Sequence, residues 1–320
     1  MKARAATDES ATGMIELRGV TKRFGGRLAV DQLDLTVPRG EIFGLLGHNG
    51  AGKSTAIGMM LGQVWPSGGE VRVCGHDVQR RRHLALARVG AIFETPAFYD
   101  YLSGWRNLEI FSQYTAAASP DRLREVVDWV GLTARIRSRV KTYSHGMRAR
   151  LALAQALLPG PELLILDEPA DGLDPEGIHE LRQTMLRLQR ELGLTLLLSS
   201  HLLGEVEQLC TRIAVLKQGR KVHEGSLAAA RQAQDWVRLV TDDFAAATQE
   251  LIAVGLVVEA RDGRLIALAG GVEPHQVARR LMELGRPVHE IAREERTLEG
   301  FYLELMRAGG SPKAGDAKES

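Results

Sequence analysis

Gly47-His48-Asn49-Gly50-Ala51-Gly52-Lys53-Ser54 decides how this 320-residue chain is read. Gly47 and Gly52 stand five apart and are followed by Lys and Ser, the spacing of a loop that wraps a phosphate. The apolar run EIFGLL at 41–46 reads as a buried strand, and the stretch from Lys53 to Leu61 reads as a helix. A loop in that position turns its backbone N–H groups inward around a β-phosphate, and the helix N-terminus adds partial positive charge. Lys53 then reaches the β- and γ-phosphates, and Ser54 offers a hydroxyl oxygen to Mg²⁺.

Outward from the loop, short strand-like runs alternate with helical ones. Residues 163–167 (LLILD) and 195–200 (TLLLSS) end in polar residues, as parallel strands do where a ligand gathers at their carboxyl edge. Two carboxylates, Asp167 and Glu168, close the first of these runs. Asp167 is suited to Mg²⁺ through its water shell, and Glu168 to polarising the water that attacks a γ-phosphate. His201 follows the second run and can hydrogen-bond the same phosphate, although a lone histidine at a strand end is also met merely exposed or packed. The stretches LREVVDWVGL and MRARLALAQALL repeat apolar residues at three and four, which makes the segment from about 95 to 160 helical.

Beyond Gly225 the pattern changes to strand, helix, strand, Asp-Gly turn, strand, helix, strand, ending in a helix over TLEGFYLELM. A βαββαβ order fits a small ferredoxin-like α+β module. The boundary is expected near Ser226, giving 14–226 and 227–306, with residues 1–13 and 307–320 as mobile tails.

Composition limits the classes. Lys and Arg number 41 against 40 Asp and Glu, a net charge of +1, so no basic excess suits a nucleic-acid backbone, and nucleic acid is not an expected partner. No apolar run approaches the ~20 residues that span a bilayer, and the first residues lack a signal peptide's apolar stretch. Cys74 and Cys210 are too few and too far apart for a disulfide framework or zinc site and are expected as reduced thiols.

In order, the chain carries GHNGAGKS, Tyr143-Ser144-His145-Gly146-Met147, LLILDEP, Asp171-Gly172-Leu173-Asp174-Pro175 and Ser200-His201. Together these resemble an ABC-type ATP-binding cassette over about 14–226. The resemblance implies an α/β P-loop NTPase fold with a helical subdomain and an antiparallel β-subdomain, binding ATP with Mg²⁺. The nucleotide set it implies is Phe24, Gly47, His48, Asn49, Gly50, Ala51, Gly52, Lys53, Ser54, Thr55, Glu94, Ser144, Gly146 and Asp174. The metal set is Ser54, Glu94 and Asp167, and the catalytic set Glu168, His201 and Lys53. Phe24 matches the aromatic that stacks on adenine; as one aromatic, it is also compatible with a buried strand end. Ser144 and Gly146 are implied to contact the γ-phosphate held by an opposite subunit, with Asp174 on the loop linking two sites, so that catalysis needs a second cassette, a homodimer being expected.

Two departures stand out. Glu94 replaces the glutamine usual in such cassettes, and YSHGM stands for LSGGQ. With the terminal TLEGFYLEL they resemble the subgroup of bacitracin-resistance, lantibiotic-immunity and daunorubicin-export ATPases. That subgroup implies export of a drug, peptide or lipid through a separate permease, with the chain peripheral on the cytoplasmic face of the membrane. A soluble ABC-type ATPase acting on DNA or ribosomes would need coiled-coil insertions, zinc-binding Cys pairs or tandem cassettes, and a small-molecule kinase would have no use for the signature loop. Two further features stay open. Seven of the sixteen aromatics fall at 93–114 (Phe93, Phe98, Tyr99, Tyr101, Trp105, Phe111, Tyr114), fitting either a helical-subdomain core or a groove for a permease helix. The basic runs Arg135, Arg137, Arg139, Lys141, Arg148, Arg150 and Arg80-Arg81-Arg82 fit either an anion-attracting face or a solvated helix.

Overall fold

Ile15–Phe24 and Arg27–Val37 form the first two strands, β1 and β2, joined by a turn at Gly25-Gly26 and paired antiparallel. The computed structural model describes residues 13–93, 96–115, 117–232, 236–294 and 297–308, so most of the expected tails lies outside it. After β2 come β3 (Ile42–Leu46), α1 (Lys53–Met60), β4 (Gly68–Val73), β5 (His76–Asp77), α2 (Arg82–Leu86) and β6 (Val89–Ile92). Next are α3 (Gly104–Thr115), α4 (Pro120–Trp129), α5 (His145–Leu157), β7 (Leu163–Asp167), α6 (Pro175–Leu192), β8 (Thr195–Ser200), α7 (Leu203–Leu209), β9 (Arg212–Lys217) and β10 (Arg220–Ser226).

The central sheet runs β10-β9-β3-β8-β7-β6 and is parallel apart from the β9–β10 pair. Every residue of β3, β7 and β8 is buried, as a parallel sheet covered on both faces requires. A second, antiparallel sheet runs β2-β1-β4-β5. Its Leu17, Val30, Leu33, Leu35 and Val71 share one core with Ile57 and Met60 of α1 and Phe43 and Leu45 of β3. That shared core ties the hairpin carrying Phe24 to the strand that delivers the phosphate loop.

Helix starts follow local chemistry. Ser119, Ser144 and Asp174 each cap a helix by accepting from a backbone N–H three residues on, and Pro120 and Pro175 occupy first-turn positions where a missing N–H costs nothing. α6 stops at Gly193, whose φ of 65° is readily adopted by glycine. The segment 95–160 is less helical than its pattern suggests. Residues 130–144 form turns, with one 3-10 turn at Val140–Thr142, so Arg135, Arg137, Arg139 and Lys141 stand on turns and not on a helical face.

A second compact unit begins at Leu227. It contains α8 (Leu227–Gln232), β11 (Trp236–Val240), α9 (Phe244–Ala253), β12 (Val257–Arg261), β13 (Leu265–Leu268), α10 (Pro274–Glu283), β14 (Glu290–Arg293) and α11 (Leu298–Ala308). Its sheet order is β12-β13-β11-β14, the ferredoxin-like arrangement of a βαββαβ chain. Val237, Leu239, Leu251, Ile266, Val277 and Leu281 form its own core. α8 is an element the sequence reading did not assign. Cys74 and Cys210 are both free and buried.

Candidate active site

The loop between β3 and α1 is built by close backbone approaches. A Cβ on Gly52 would lie 2.7 Å from the Ala29 carbonyl oxygen, and Gly52 has φ 106°, so no other residue fits there without strain. A Cβ on Gly47 would meet the Leu216 carbonyl oxygen at the same distance. α1 begins at Lys53 with no side-chain cap and no acid in its first turn, leaving its N-terminal N–H groups to an outside acceptor. The Lys53 side chain is buried; its Nζ donates to the Gly47 carbonyl at 2.7 Å and lies 3.2 Å from Glu168 Oε1.

At the end of β7 the two acids diverge. Asp167 is buried, and Ser199 Oγ donates to its Oδ1 at 2.5 Å while accepting the Glu168 backbone N–H at 2.9 Å. Asp167 and Ser199 are register partners across β7 and β8, so one buried hydroxyl fixes both acids. Glu168 holds φ +46°, an uncommon conformation for a residue with a side chain and one that marks local strain. His201 Nδ1 donates to Glu168 Oε2 at 2.7 Å, so this carboxylate bridges Lys53 and His201. Burial pushes the Glu168 carboxyl up, but the hydrogen bonds and charges of Lys53 and His201 pull harder and hold it below its ordinary value of 4.5. The bridge therefore presents a carboxylate that stays ionised near neutral pH and can accept a proton.

A cleft of about 550 Å³, of a size usual for small-molecule sites, is lined by Phe24, Arg27, Ala29, Asn49, Gly50, Gly52, Lys53, Ser54, Thr55 and Glu168. Phe24 is 51% exposed there, not buried at a strand end, and Lys22 Nζ sits 4.8 Å from its ring centroid. Gly47, His48 and Ala51 belong to the same loop; His48 Nδ1 bonds the Asn49 carbonyl. A second cleft of about 560 Å³ is lined by Ser54, His145, Arg148, Asp167, Glu168 and Asp171, with Ile92, Leu153, Leu166 and Leu181 among its apolar wall. Ser54 thus borders both clefts. The oxygen donors Ser54 and Asp167 fit Mg²⁺, a hard cation that takes one or two protein ligands and fills its shell from water and phosphate. Among the described residues no group of three His, Cys, Asp or Glu side chains makes a self-sufficient metal cage. Glu94, the third expected metal ligand, lies outside the described residues.

Ser144, Gly146 and Asp174 do not line the first cleft. Ser144 and Asp174 are exposed helix caps, accepting from Met147 N and Gly177 N. Gly146 is buried, and a Cβ there would come 3.1 Å from the Gly177 Cα, so within one chain it serves the close packing of α5 on α6.

None of the seven clustered aromatics is fully buried, so they are not the helical-subdomain core. Leu108, Leu123, Val126, Val127, Ile136, Val140 and Leu151 fill that role. Phe93 packs on the cassette core, Tyr99 stacks on Phe111 at 6.1 Å, and Tyr99, Tyr101 and Tyr114 are 42%, 68% and 82% exposed. Most of the basic side chains are already occupied: Arg148 pairs with Asp100, Arg150 with Glu180, Arg137 stacks on Trp105, Arg80 lies 3.8 Å from Asp77, and Arg82 donates to the Leu61 carbonyl.

Sequence reading singled out neither Ser199 nor Arg27. Ser199 is one of three buried hydroxyl residues in TLLLSS, and only the strand register singles it out; Arg27 reaches the cleft only once the hairpin is folded.

A family profile described as ABC transporter matches residues 30–171. The bacitracin transport ATP-binding protein BcrA of Enterococcus faecalis is 35% identical over 300 residues, covering 93% of this chain and 97% of its own. An uncharacterized ABC transporter ATP-binding protein of Bacillus subtilis, YhcH, is 48% identical over 209 residues, 65% of this chain and 68% of its own. Among solved structures, cbiO1 of Clostridium perfringens, part of the ABC transporter complex cbiONQ, has a TM-score of 0.62 at 26% identity, covering 67% of this chain and 89% of its own.

Proposed function

The chain belongs to the ABC transporter family as an ATP-binding, ATP-hydrolysing subunit, and from that premise we propose how its residues divide the work. The observation that carries the assignment is the Lys53–Glu168–His201 chain at the mouth of the phosphate loop. Lys53 Nζ is shared between Glu168 and the Gly47 carbonyl. A phosphate chain entering the loop gives Lys53 a stronger partner, and Glu168 is released to face the terminal phosphate while His201 keeps its orientation. Water then bonds to the γ-phosphorus as the bond to the β–γ bridging oxygen breaks, and Glu168 takes the water's proton. Phe24 stacks on the adenine, and Gly47, His48, Asn49, Gly50, Ala51, Gly52 and Thr55 wrap the phosphates. Ser54 and Asp167, with Glu94, are the groups that would hold Mg²⁺, whose chemistry when bound is to offset phosphate charge.

Ser144, Gly146 and Asp174 face a second copy of the cassette in this reading, which accounts for two exposed caps outside the chain's own nucleotide cleft. A homodimer closes on ATP and reopens after hydrolysis, and a separately encoded permease takes up the motion. Among the described residues no helix is long and apolar enough to cross a membrane, so the pathway for a transported molecule falls to that partner. In this reading the exposed Tyr99 and Tyr101 on the segment after β6 form its docking site, with the chain peripheral on the cytoplasmic face. The named transport of bacitracin by a relative matching nearly the full chain supports a drug, peptide or lipid-like export substrate. Residues 227–306 act as an accessory module for assembly or regulation.

The test is co-expression with the cognate permease. Tyr99→Ala with Tyr101→Ala is expected to keep basal ATPase and lose co-purification; unchanged co-purification refutes the docking site.

A further inference from the structure

Arg27 stands opposite Phe24 at the end of the β1–β2 hairpin, the two being Cα partners across Gly25-Gly26. Directly opposed residues of an antiparallel pair project from the same face, and both side chains line the nucleotide cleft. On its other side, Arg27 Nη2 comes within 3.6 Å of the point that a Cβ on Gly50 would occupy. The guanidinium therefore lies between the aromatic and the phosphate loop. It is exposed, and it forms no ion pair with a described residue. Asp31, the nearest acid along the chain, is taken by Arg220 at 2.6 Å. Lys53, the other cation lining the cleft, is buried and already paired.

An unpaired guanidinium at the rim of a polyanion site has one chemical use there. Its planar fork of N–H donors matches two phosphate oxygens at once. Phe24 contributes stacking, which is blind to phosphates. We propose that Arg27 binds the phosphate chain of the nucleotide as a second cation beside Lys53, making the site select phosphorylated adenosine over adenosine. The proposal rests on the ATP-site reading above and goes beyond it in assigning this residue.

Calorimetric titration of the purified full chain with ATP, ADP, AMP and adenosine tests it, comparing wild type, Arg27→Gln and Arg27→Lys. Arg27→Gln is expected to weaken ATP and ADP by about tenfold, the scale of one charge-assisted contact, with adenosine unchanged. Lysine keeps the charge without the fork and should recover part of the loss. The salt dependence of ATP binding should be shallower in Arg27→Gln, and the KM for ATP should rise with kcat within about twofold. ATP affinity within about twofold of wild type in Arg27→Gln overturns the proposal, as does an equal loss for adenosine and ATP, because neither depends on phosphate. A wild type that binds no ATP would instead overturn the nucleotide reading itself, so the two failures are told apart.

Discussion

Ser199 joins the two acids proposed for the site, and Ser199→Ala tests that role. The residue is wholly buried, and its single hydroxyl donates to Asp167 Oδ1 and accepts the Glu168 N–H. Removing it leaves a buried N–H without an acceptor and a buried carboxylate short of one donor. An unsatisfied buried group costs about 1–3 kcal/mol, so a loss near 2 kcal/mol is expected for the cassette. At about 2–4 °C per kcal/mol for a unit of this size, the cassette's Tm should fall by about 4–8 °C. The Glu168 backbone at φ +46° is a strained conformation worth about 1–3 kcal/mol that neighbours must hold in place. With Ser199 gone it can relax and move the carboxylate, and misplacing a catalytic group by about 1 Å costs up to about 100-fold in rate. ADP affinity should stay near wild type, since Lys53 and the loop are untouched. Differential scanning calorimetry, phosphate release and ADP titration together give the answer. An unchanged Tm with unchanged kcat would refute the assigned role of the hydroxyl.

Phe24→Ala removes a half-exposed ring, so folding should be kept while ATP affinity falls by about tenfold, the scale of base–aromatic stacking; Phe24→Trp should restore it, and an unaltered Kd by titration would remove Phe24 from the site. Deleting 227–320 should leave nucleotide binding measurable, because the second unit has its own core; a folded truncation without ATP affinity would count against an accessory role. Glu168 sits below its ordinary value of 4.5, so its carboxylate contributes stability that is fully present above that pH and lost as pH falls through the lower folded value. The Tm difference between wild type and Glu168→Gln should accordingly shrink as pH falls below 4.5; a difference that grows on acidification below 4.5 would contradict the sign.

The candidate site was legible in the sequence where its geometry depends on spacing along the backbone. Gly47 to Ser54 are one continuous stretch of loop and first helical turn, and Asp167 and Glu168 are neighbours at a strand end, so reading them needed no tertiary knowledge. Strand and helix order in the second unit was legible for the same reason, as period-two and period-three-to-four patterns alternate cleanly there. Contacts made by folding were not. Ser199 reaches Asp167 only through β7–β8 register, and Arg27 meets Gly50 only because the hairpin packs over the loop. α8 has six residues, too short to show a period. The aromatic cluster left two readings open, a helical-subdomain core or a groove, because ring burial depends on folding; all seven rings are exposed or half-buried, and mainly aliphatic residues are buried there.

Phosphate release from the purified chain at saturating ATP and Mg²⁺, compared with that of Glu168→Gln, tests the account most directly. Removing the proton acceptor that bridges Lys53 and His201 is expected to slow turnover by about 10²–10⁴-fold while ATP binding persists. Turnover near the wild-type rate in Glu168→Gln would contradict the account, because the bridge would then not be the base.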